Sequence, residues 1–250
     1  MKSVIETLMD RRSIRRYERE PLTPEQIELI HDAIHNTPTS YNGQQFSVIE
    51  ITDQDLKEEL YKLTNQKQIK TCNRFYLFCI DYYKIRLIAE AKGVEMPRVE
   101  DTADGLFLGI IDASLAMMNA ITAAEACGLG TCPIGYARTA APEEFARILK
   151  LPKGVFVVCG LAVGVPREMP DIKPKQPVKS QIFQNTYPTD NAELLETLKE
   201  YDNTVSHYNR TRSGSTSEND WATHIVSYYV ESTHFNLLED LRKQGFDIKK

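Results

Sequence analysis

Cysteine is sparse in this sequence: its 250 residues contain five, an odd number, and no two of them form a Cys-x-x-Cys pair. Secreted disulfide scaffolds and structural zinc sites both depend on paired cysteines. We therefore expect reduced thiols, no disulfide framework and no metal site. The first sixteen residues also lack the apolar core of a secretory signal, because Glu6 and Asp10 interrupt them. The sequence thus predicts a cytoplasmic protein.

Positive charge is in short supply as well. The 35 Asp and Glu residues outnumber the 30 Lys and Arg residues, and the formal net charge is −5. Nucleic-acid-binding domains commonly carry a basic excess. We therefore expect no nucleic-acid partner.

Only one hydrophobic run, residues 106–126, is long enough to raise the question of a membrane span. Asp112, Asn119 and Glu125 lie inside it. An aspartate near the centre of a span costs roughly 2.5–3.5 kcal/mol on insertion scales. We therefore expect a helix buried on most sides, in a core or a dimer interface, and no membrane association.

The motifs of covalent hydrolysis are missing, since the chain has no Gly-x-Ser-x-Gly elbow and no recognisable Cys–His triad. His31 and His35 lie one helical turn apart, but Asp32 stands where a zinc-protease motif needs glutamate. The glycine-rich "GLGTCPIG" follows a helix, whereas a dinucleotide fingerprint bridges a strand to a helix. Without a protein nucleophile or general base, a bound cofactor is expected to carry the chemistry.

Helix and strand signals alternate along the chain. Thr23, Pro24 and Gln26 predict a helix start, with the threonine as N-cap and the proline in the first turn. Asp53 is predicted to cap the helix "DQDLKEELYKLT" in the same way. Strands are predicted at residues 46–51, 74–83 and 154–166, and "GLGTCPIG" is predicted to end the long helix. From about Asp190 the chain becomes polar and aromatic, which indicates an extension that packs on another surface. The alternation favours a mixed α and β fold built on one sheet.

The stretch "DRRSIRRY", residues 10–17, concentrates positive charge in an acidic chain. Arg11, Ser13 and Arg15 alternate, so in an extended chain their side chains point the same way. Two guanidinium forks and a hydroxyl on one side suit a phosphate or carboxylate. A solvated basic turn after a helix would produce the same string. The spacing alone leaves both interpretations open.

Two further segments carry binding chemistry. Lys173 and Lys175 lie in "DIKPKQP", where prolines stiffen the chain and hold the ammonium groups in place. The loop "NTPTSYNGQQ", with Thr39, Ser40 and Gln44, offers hydroxyl and amide groups to a polar heterocycle or a sugar-like chain. A surface loop and ordinary turn composition are the alternative explanations. The loop around Gln66 has a similar polar composition, but it is a weaker indication of ligand binding.

Four collinear segments, "RRSIRRY", the Thr/Ser-rich loop, "AAEACGLGTCPIG" and "GLAVGVPREMPDIKPKQP", together resemble the nitroreductase family. The long C-terminal part resembles its NfsA/FRP-like branch of NADPH-dependent nitroreductases and flavin reductases. The resemblance implies an α+β fold: a three-layer α/β/α sandwich with a mainly antiparallel central sheet. It also implies an intertwined homodimer, a core over residues 1–190, and an extension over residues 191–250 that packs on the core or the partner subunit.

The same resemblance implies FMN as cofactor and NAD(P)H as electron donor. The residues expected to bind FMN are Arg11, Arg12, Ser13, Arg15, Thr39, Ser40, Gln44, Gln66, Ile134, Gly135, Lys173 and Lys175. Arg11 and Ser13, joined by the two lysines, would contact the phosphate; Arg12 has a weaker claim. Thr39, Ser40 and Gln44 would reach the ribityl chain or ring across the dimer, with Gln66 near the ring edge.

Two residues are expected to act on the flavin ring itself. Arg15 would stabilise the negative charge that develops at N1 and O2 on reduction. The Gly135 amide would hydrogen-bond N5, with Ile134 against the ring. Tyr136 stands where relatives have a second glycine, and it would either narrow the substrate pocket or stack on it.

The resemblance predicts an oxidoreductase in which hydride passes from NAD(P)H to the flavin and then, in a second half-reaction, to a nitroaromatic, a quinone or free flavin. Arg212 is expected to help bind NAD(P)H, whereas Thr233 and His234 stand where another arginine is usual, which leaves the preference between NADPH and NADH open. An azo-reducing or dehalogenating flavin enzyme of the same fold is an alternative, as is a non-catalytic flavin-binding redox module.

Overall fold

The computed structural model describes residues 2–231 and 236–248, and packing divides the chain into two compact units. The core unit consists of the chain up to Met169 together with the segment from Asn236 onward. The second unit is residues 170–235. Thr233 and His234 lie outside the described residues. The division of the chain at residue 190 stays a prediction.

The core unit contains four strands and most of the helices. The strands are β1 Phe46–Ile51, β2 Arg74–Asp81, β3 Gly130–Ile134 and β4 Val155–Gly164. Its helices are α1 Val4–Asp10, α2 Pro24–His35, α3 Gln54–Thr64, α4 Lys67–Thr71, α5 Tyr83–Ala91, α6 Ala103–Ala126, α7 Tyr136–Thr139, α8 Pro142–Ile148 and α11 Leu237–Lys243. The second unit contains α9 Asn191–Thr211 and α10 Trp221–Glu231.

Side-chain caps start the helices where the sequence predicts them. The Thr23 hydroxyl accepts a hydrogen bond from the Gln26 amide at 3.2 Å, and Gln26 Oε1 accepts from the Thr23 amide at 3.0 Å. Pro24 occupies the first turn of α2, where its missing N–H costs nothing. Asp53 caps α3 in the same way by accepting from Leu56 N at 2.7 Å. These predicted helix starts are confirmed.

The sheet has the strand order β1-β2-β4-β3, and every neighbouring pair is antiparallel. The register places Phe46 opposite Ile80, Leu77 opposite Gly160 and Cys132 opposite Ala162. All ten residues of β4 are buried, because strands flank it and helices cover both faces of the sheet.

Two hydrophobic clusters cover the two faces of this sheet. One joins α2 and α6 to β2 and β4, with Ile30, Ala116 and Leu161 fully buried. The other joins α3, α4, α7 and α8 to the opposite face through Leu60, Ile69 and Phe145, among others. Helices on both sides of an antiparallel sheet confirm the predicted three-layer α+β sandwich.

Helix α6 forms the centre of the first layer, but only one side of it is buried. Ala113, Ala116 and Ala120 are inaccessible to solvent, whereas a row on the other side is exposed: Phe107, Ile111, Leu115 and Met118. The helix is long and apolar enough to satisfy the length and composition of a membrane span, as a core helix can. The expected burial in a core is thus met on one side of the helix, and burial of the exposed row in a dimer interface stays a prediction.

Strand β3 was not among the predicted strands. The segment "GLGTCPIG" does follow the long helix, but the helix ends at Ala126, and Gly130–Ile134 then pairs with β4. Gly128 makes the turn between them with a φ of 81°, which favours glycine. The sequence of β3 does not indicate a strand, because glycine and proline are depleted in strands. Pro133 is tolerated because β3 lies at the edge of the sheet.

Candidate active site

The basic stretch after α1 is extended and runs beside the start of β3. Ser13 forms a parallel bridge with Thr131, and the Ile14 amide donates to the Thr131 carbonyl at 2.8 Å. Ile14 is buried against Gly130, where a Cβ would lie 2.7 Å from Ile14 Cβ. The extended conformation that the anion-binding hypothesis requires is therefore present, with Arg15 exposed.

A carboxylate holds the backbone at Arg15. Glu168 Oε1 accepts from the Arg15 amide at 2.7 Å, and its second oxygen lies 3.7 Å from Arg16 Nε. Tyr17 anchors the same stretch from the buried side, because its hydroxyl donates to the Ile14 carbonyl at 2.6 Å. Burial raises the pKa of Tyr17 far above its ordinary value, so this hydroxyl stays protonated and remains a donor. The Arg15 guanidinium thus projects from a backbone that is fixed on both sides.

A second carboxylate lies behind the basic stretch. Glu125, near the end of α6, accepts a hydrogen bond from the Thr131 hydroxyl. Burial raises the pKa of Glu125, while the Thr131 bond and the nearby positive charge of Arg11 act in the opposite direction. Glu125 and Arg12 both line a cavity of 170 Å³. Arg11 and Arg12 therefore lie near the carboxyl group of Glu125 inside the protein.

Beyond β3 the backbone is open at Gly135. Ile134, the last residue of the strand, is buried, whereas Gly135 is exposed and leads into α7. A Cβ placed on Gly135 would meet no atom within 4 Å. Open space over an exposed peptide group suits the close approach of a flat ligand. Tyr136, the next residue, is 43% exposed. Its predicted effect on the substrate pocket stays a prediction.

The loop of Thr39, Ser40 and Gln44 is held by the buried carboxylate of Asp112. Asp112, on α6, is inaccessible to solvent and accepts from the Ser40 and Gln45 amides, each at 3.2 Å. Within the loop, the Gln44 amide donates to Thr39 Oγ1 at 3.2 Å. Gln44 also has a φ of 51°, a left-handed conformation that costs energy in a residue other than glycine.

Gln66 lies on the other side of the sheet, at the start of α4. Its Oε1 accepts from Gln68 Nε2 at 2.9 Å, and its backbone N–H donates to Thr64 Oγ1 at 3.3 Å. The residue is half-buried and its side chain is already engaged. Its predicted contact with the flavin edge stays a prediction.

The second unit has a cavity of its own, with a volume of 280 Å³. Aromatic residues Tyr201, Tyr208 and Trp221 line it together with the cations Lys173 and Arg212. The Tyr208 hydroxyl donates to the Asp171 carbonyl at 3.1 Å, and Arg212 Nε donates to the Ser215 carbonyl at 2.7 Å. The structure therefore brings Lys173 and Arg212 to one cavity, and Lys175 is exposed on the same Pro-rich segment.

Three supporting carboxylates were missed by the sequence reasoning. Asp112 and Glu125 were visible as acidic residues inside an apolar helix, a pattern that signals a buried partner. Glu168 has no comparable signal, because it lies in an irregular segment whose neighbour, Arg15, is distant in the sequence.

Similarity to known proteins agrees with this geometry. A family model described as "Nitroreductase family" matches residues 8–165, and one described as "Nitroreductase family, C-terminal domain" matches residues 173–249. The chain belongs to the nitroreductase family. The resemblance inferred from the sequence is therefore confirmed.

Individual relatives cover the nitroreductase chain from end to end. An FMN reductase (NAD(P)H) of Bacillus subtilis is 35% identical over 251 residues, covering 100% of both chains. An oxygen-insensitive NADPH nitroreductase of Salmonella typhimurium is 35% identical, covering 98% of this chain and 99% of that protein. The solved structure of the NfrA1 nitroreductase from B. subtilis superimposes with a TM-score of 0.93 at 31% identity, covering 98% of this chain and 99% of that one.

Proposed function

We propose that this nitroreductase is an FMN-dependent NAD(P)H oxidoreductase that reduces nitroaromatics, quinones or free flavin. The observation that carries the proposal is the extended basic segment, which runs beside the start of β3, the strand whose other end leads into the open backbone at Gly135. The names of the two sequence relatives, an FMN reductase and an NADPH nitroreductase, support the same activity.

The residues at this site fit FMN in chemistry. Arg11 and Ser13 offer a guanidinium and a hydroxyl to a phosphate, and the open space at Gly135 admits a planar ring. Arg12, Lys173 and Lys175 are proposed to add positive charge around the phosphate. Gln66 and Ile134 are proposed to border the ring. The acidic chain thus concentrates positive charge where a dianionic group would bind.

When bound, FMN supplies the redox chemistry by accepting a hydride from NAD(P)H and passing reducing equivalents to the acceptor. The protein's own part is positioning and charge. The Arg15 guanidinium would place a positive charge near N1 and O2 of the flavin ring, where negative charge develops on reduction. The Gly135 N–H would donate a hydrogen bond to N5. Glu168 keeps the Arg15 backbone in place. No side-chain nucleophile is required.

The protein is proposed to act as a homodimer. The exposed row Phe107, Ile111, Leu115 and Met118 gives α6 an apolar face that a second copy would bury. In that dimer, Thr39, Ser40 and Gln44 of one protomer would approach the cofactor held by its partner. Small molecules are the proposed substrates, and the cytoplasm the proposed location.

Arg212 is proposed to contact NAD(P)H. It is half-buried at a cavity with three aromatic residues, a setting suited to a charged, ring-containing cofactor. An Arg212→Ala variant should raise the KM for NADPH more than the KM for NADH.

Purified protein tests the function directly. After reconstitution with FMN and removal of free flavin, the absorbance spectrum should show flavin bands, and anaerobic NADPH or NADH should bleach them. Turnover with a nitroaromatic, a quinone and free FMN should follow. Absence of flavin bands would overturn the proposal; a bound flavin that neither nicotinamide bleaches would establish a non-catalytic redox module instead. Turnover of azo dyes or halogenated substrates alone would establish the alternative enzyme class.

A further inference from the structure

A groove in the core unit is lined by none of the predicted cofactor residues. It has a volume of 1060 Å³ and lies between the start of β2, the helices α3 and α4, and the chain that follows Tyr17. Its charged lining residues are Glu18, Arg19, Lys57, Lys70, Arg74 and Arg167.

The lining of this groove is strongly basic. Five cationic side chains belong to it, Arg19, Lys57, Lys70, Arg74 and Arg167, against the single carboxylate of Glu18. The whole chain carries a net charge of −5, so the excess of cationic side chains in the groove does not follow from the overall composition of the protein. Concave surfaces lined by one sign of charge focus the field and attract ligands of the opposite sign.

Internal ion pairs account for only part of this charge. Arg74 pairs with Glu50 at 3.2 Å, Lys70 with Glu58 at 3.3 Å, and Arg167 with Glu18 at 4.0 Å. Within residues 2–231 and 236–248, neither Lys57 nor Arg19 has a carboxylate within ion-pair distance. Two positive charges at the groove therefore lack a counter-charge in the part of the chain that the structure describes.

Lys57 is the more informative of the two, because it is buried, with 4% of its surface exposed. Its Nζ donates to the Cys72 carbonyl at 2.8 Å, just after α4. An ammonium group has three donors, and a buried charge is costly unless it is paired. The first turn of α3, with Gln54 and Lys57, also faces the groove, although Asp53 caps one of its N–H groups.

We propose that this groove binds a small phosphate-bearing anion with at least two negative charges, such as a diphosphate group. The combination of arginine forks and lysine point charges fits phosphate oxygens, which accept hydrogen bonds in several directions. The volume is that of a small-molecule site. The ligand would supply the counter-charge that Lys57 and Arg19 lack, and it would bind apart from the phosphate of FMN.

Isothermal titration calorimetry on the FMN-saturated holoprotein tests this site, with inorganic pyrophosphate as the probe. One pyrophosphate per chain should bind, and excess FMN should leave the isotherm unchanged. ADP in a parallel titration distinguishes the sources: tighter binding of ADP assigns the site to a nucleotide, and equal or weaker binding assigns it to a simple diphosphate. Absence of binding, or equal binding of sulfate at matched ionic strength, would overturn the proposal.

Three variants locate the binding site. Arg19→Ser and Lys57→Met should each weaken pyrophosphate binding about tenfold or more, since each removes a charge-assisted hydrogen bond. Lys62→Ser is the matched control, because Lys62 is an exposed cation on α3 that does not line the groove. If Lys57→Met does not fold, the double variant Arg19→Ser/Arg167→Ser replaces it. Unchanged binding in Arg19→Ser and in the second variant would contradict the assignment.

Discussion

Two parts of the core unit are predicted to contact the same cofactor, and the fold holds them in different ways. The basic segment, residues 11–17, is attached along its length: the Ile14 amide bonds Thr131, the Arg15 amide bonds Glu168, and the Arg16 carbonyl accepts from Arg167. The polar loop, residues 39–45, is held mainly by Asp112, which accepts from both the Ser40 and the Gln45 amide. One further bond reaches it from β2, where the Asp81 amide donates to the Gln45 carbonyl at 3.0 Å.

This difference predicts how each of the two regions responds to the loss of a hydrogen bond. Losing one bond of the basic segment leaves neighbouring bonds in place, so its backbone should survive single substitutions. Losing Asp112 removes two bonds of the polar loop at once and leaves their donors without a partner in a buried environment. The basic segment is therefore the place to test binding chemistry, and the polar loop the place to test structural support.

The largest effect is expected for Asp112→Ala. It should lower the free energy of unfolding by about 2–4 kcal/mol, because two amides lose a buried charged acceptor. Urea unfolding followed by circular dichroism measures this change. Asp32→Ala, at an exposed position on α2, is the control and should change stability by less than about 0.5 kcal/mol. A similar stability for both variants would show that the loop does not depend on Asp112.

Arg11→Ala should weaken FMN binding with little change in stability. Loss of one charge-assisted hydrogen bond to a phosphate corresponds to about tenfold to a hundredfold in Kd. Fluorescence titration of the apoprotein with FMN measures the affinity. Arg16→Ala is the control, since Arg16 is exposed and paired with Glu168. Equal FMN affinity in the two variants would remove Arg11 from the phosphate site.

Arg15→Ala should act on the flavin's reactivity more than on its retention. Without this cation, the midpoint potential of bound FMN should become more negative and its anaerobic reduction by NADPH should slow by about tenfold. Spectroelectrochemistry and stopped-flow absorbance measure these two quantities, and Arg16→Ala again serves as control. A potential identical to that of the parent protein would remove Arg15 from the ring.

Glu168→Ala should have a smaller effect on stability, about 1 kcal/mol, because the Arg15 amide loses one acceptor while the bonds of Ile14 and Arg16 remain. The stability loss of Glu168→Ala, set beside that of Asp112→Ala, tests the difference between the two regions directly. A stability loss as large as that of Asp112→Ala would show that the basic segment also depends on a single carboxylate.

The smallest effect concerns pH and Glu125. Burial raises the pKa of this carboxyl above its ordinary value of 4.5 in the folded protein. As pH rises above 4.5, the unfolded state loses this proton first, so Glu125 destabilises the fold progressively until the pH passes its folded pKa. Relative to Glu125→Gln, the parent protein should therefore lose stability over this window. Urea unfolding at several pH values measures the difference, and parallel stability curves for the two proteins would contradict it.

Much of the fold follows from local sequence signals. The bounds of β1 match the prediction, and the caps at Thr23 and Asp53 start helices where expected, because these signals act within a few residues. The family resemblance also followed from four short segments. The site assignments themselves remain predictions, to be decided by the variants above.

Strand β3 and the exposed row of α6 show where sequence reasoning stops. Gly130 and Pro133 do not favour a strand locally, and β3 exists because β4 offers it an open edge. The apolar residues of α6 indicate burial but not by which partner, so Phe107 and Ile111 are exposed within one chain.

The sequence by itself determined the helix starts at Thr23 and Asp53, the three strands dense in branched residues and the placement of basic charge at residues 11–16, since each depends on near neighbours in the chain. Only the tertiary structure decided that Asp112, Glu125 and Glu168 support the candidate site, and that Lys57 and Arg19 meet in one groove. The physical reason is distance along the chain. Glu168 lies 153 residues from Arg15, and nothing in the local sequence specifies that their atoms meet at 2.7 Å.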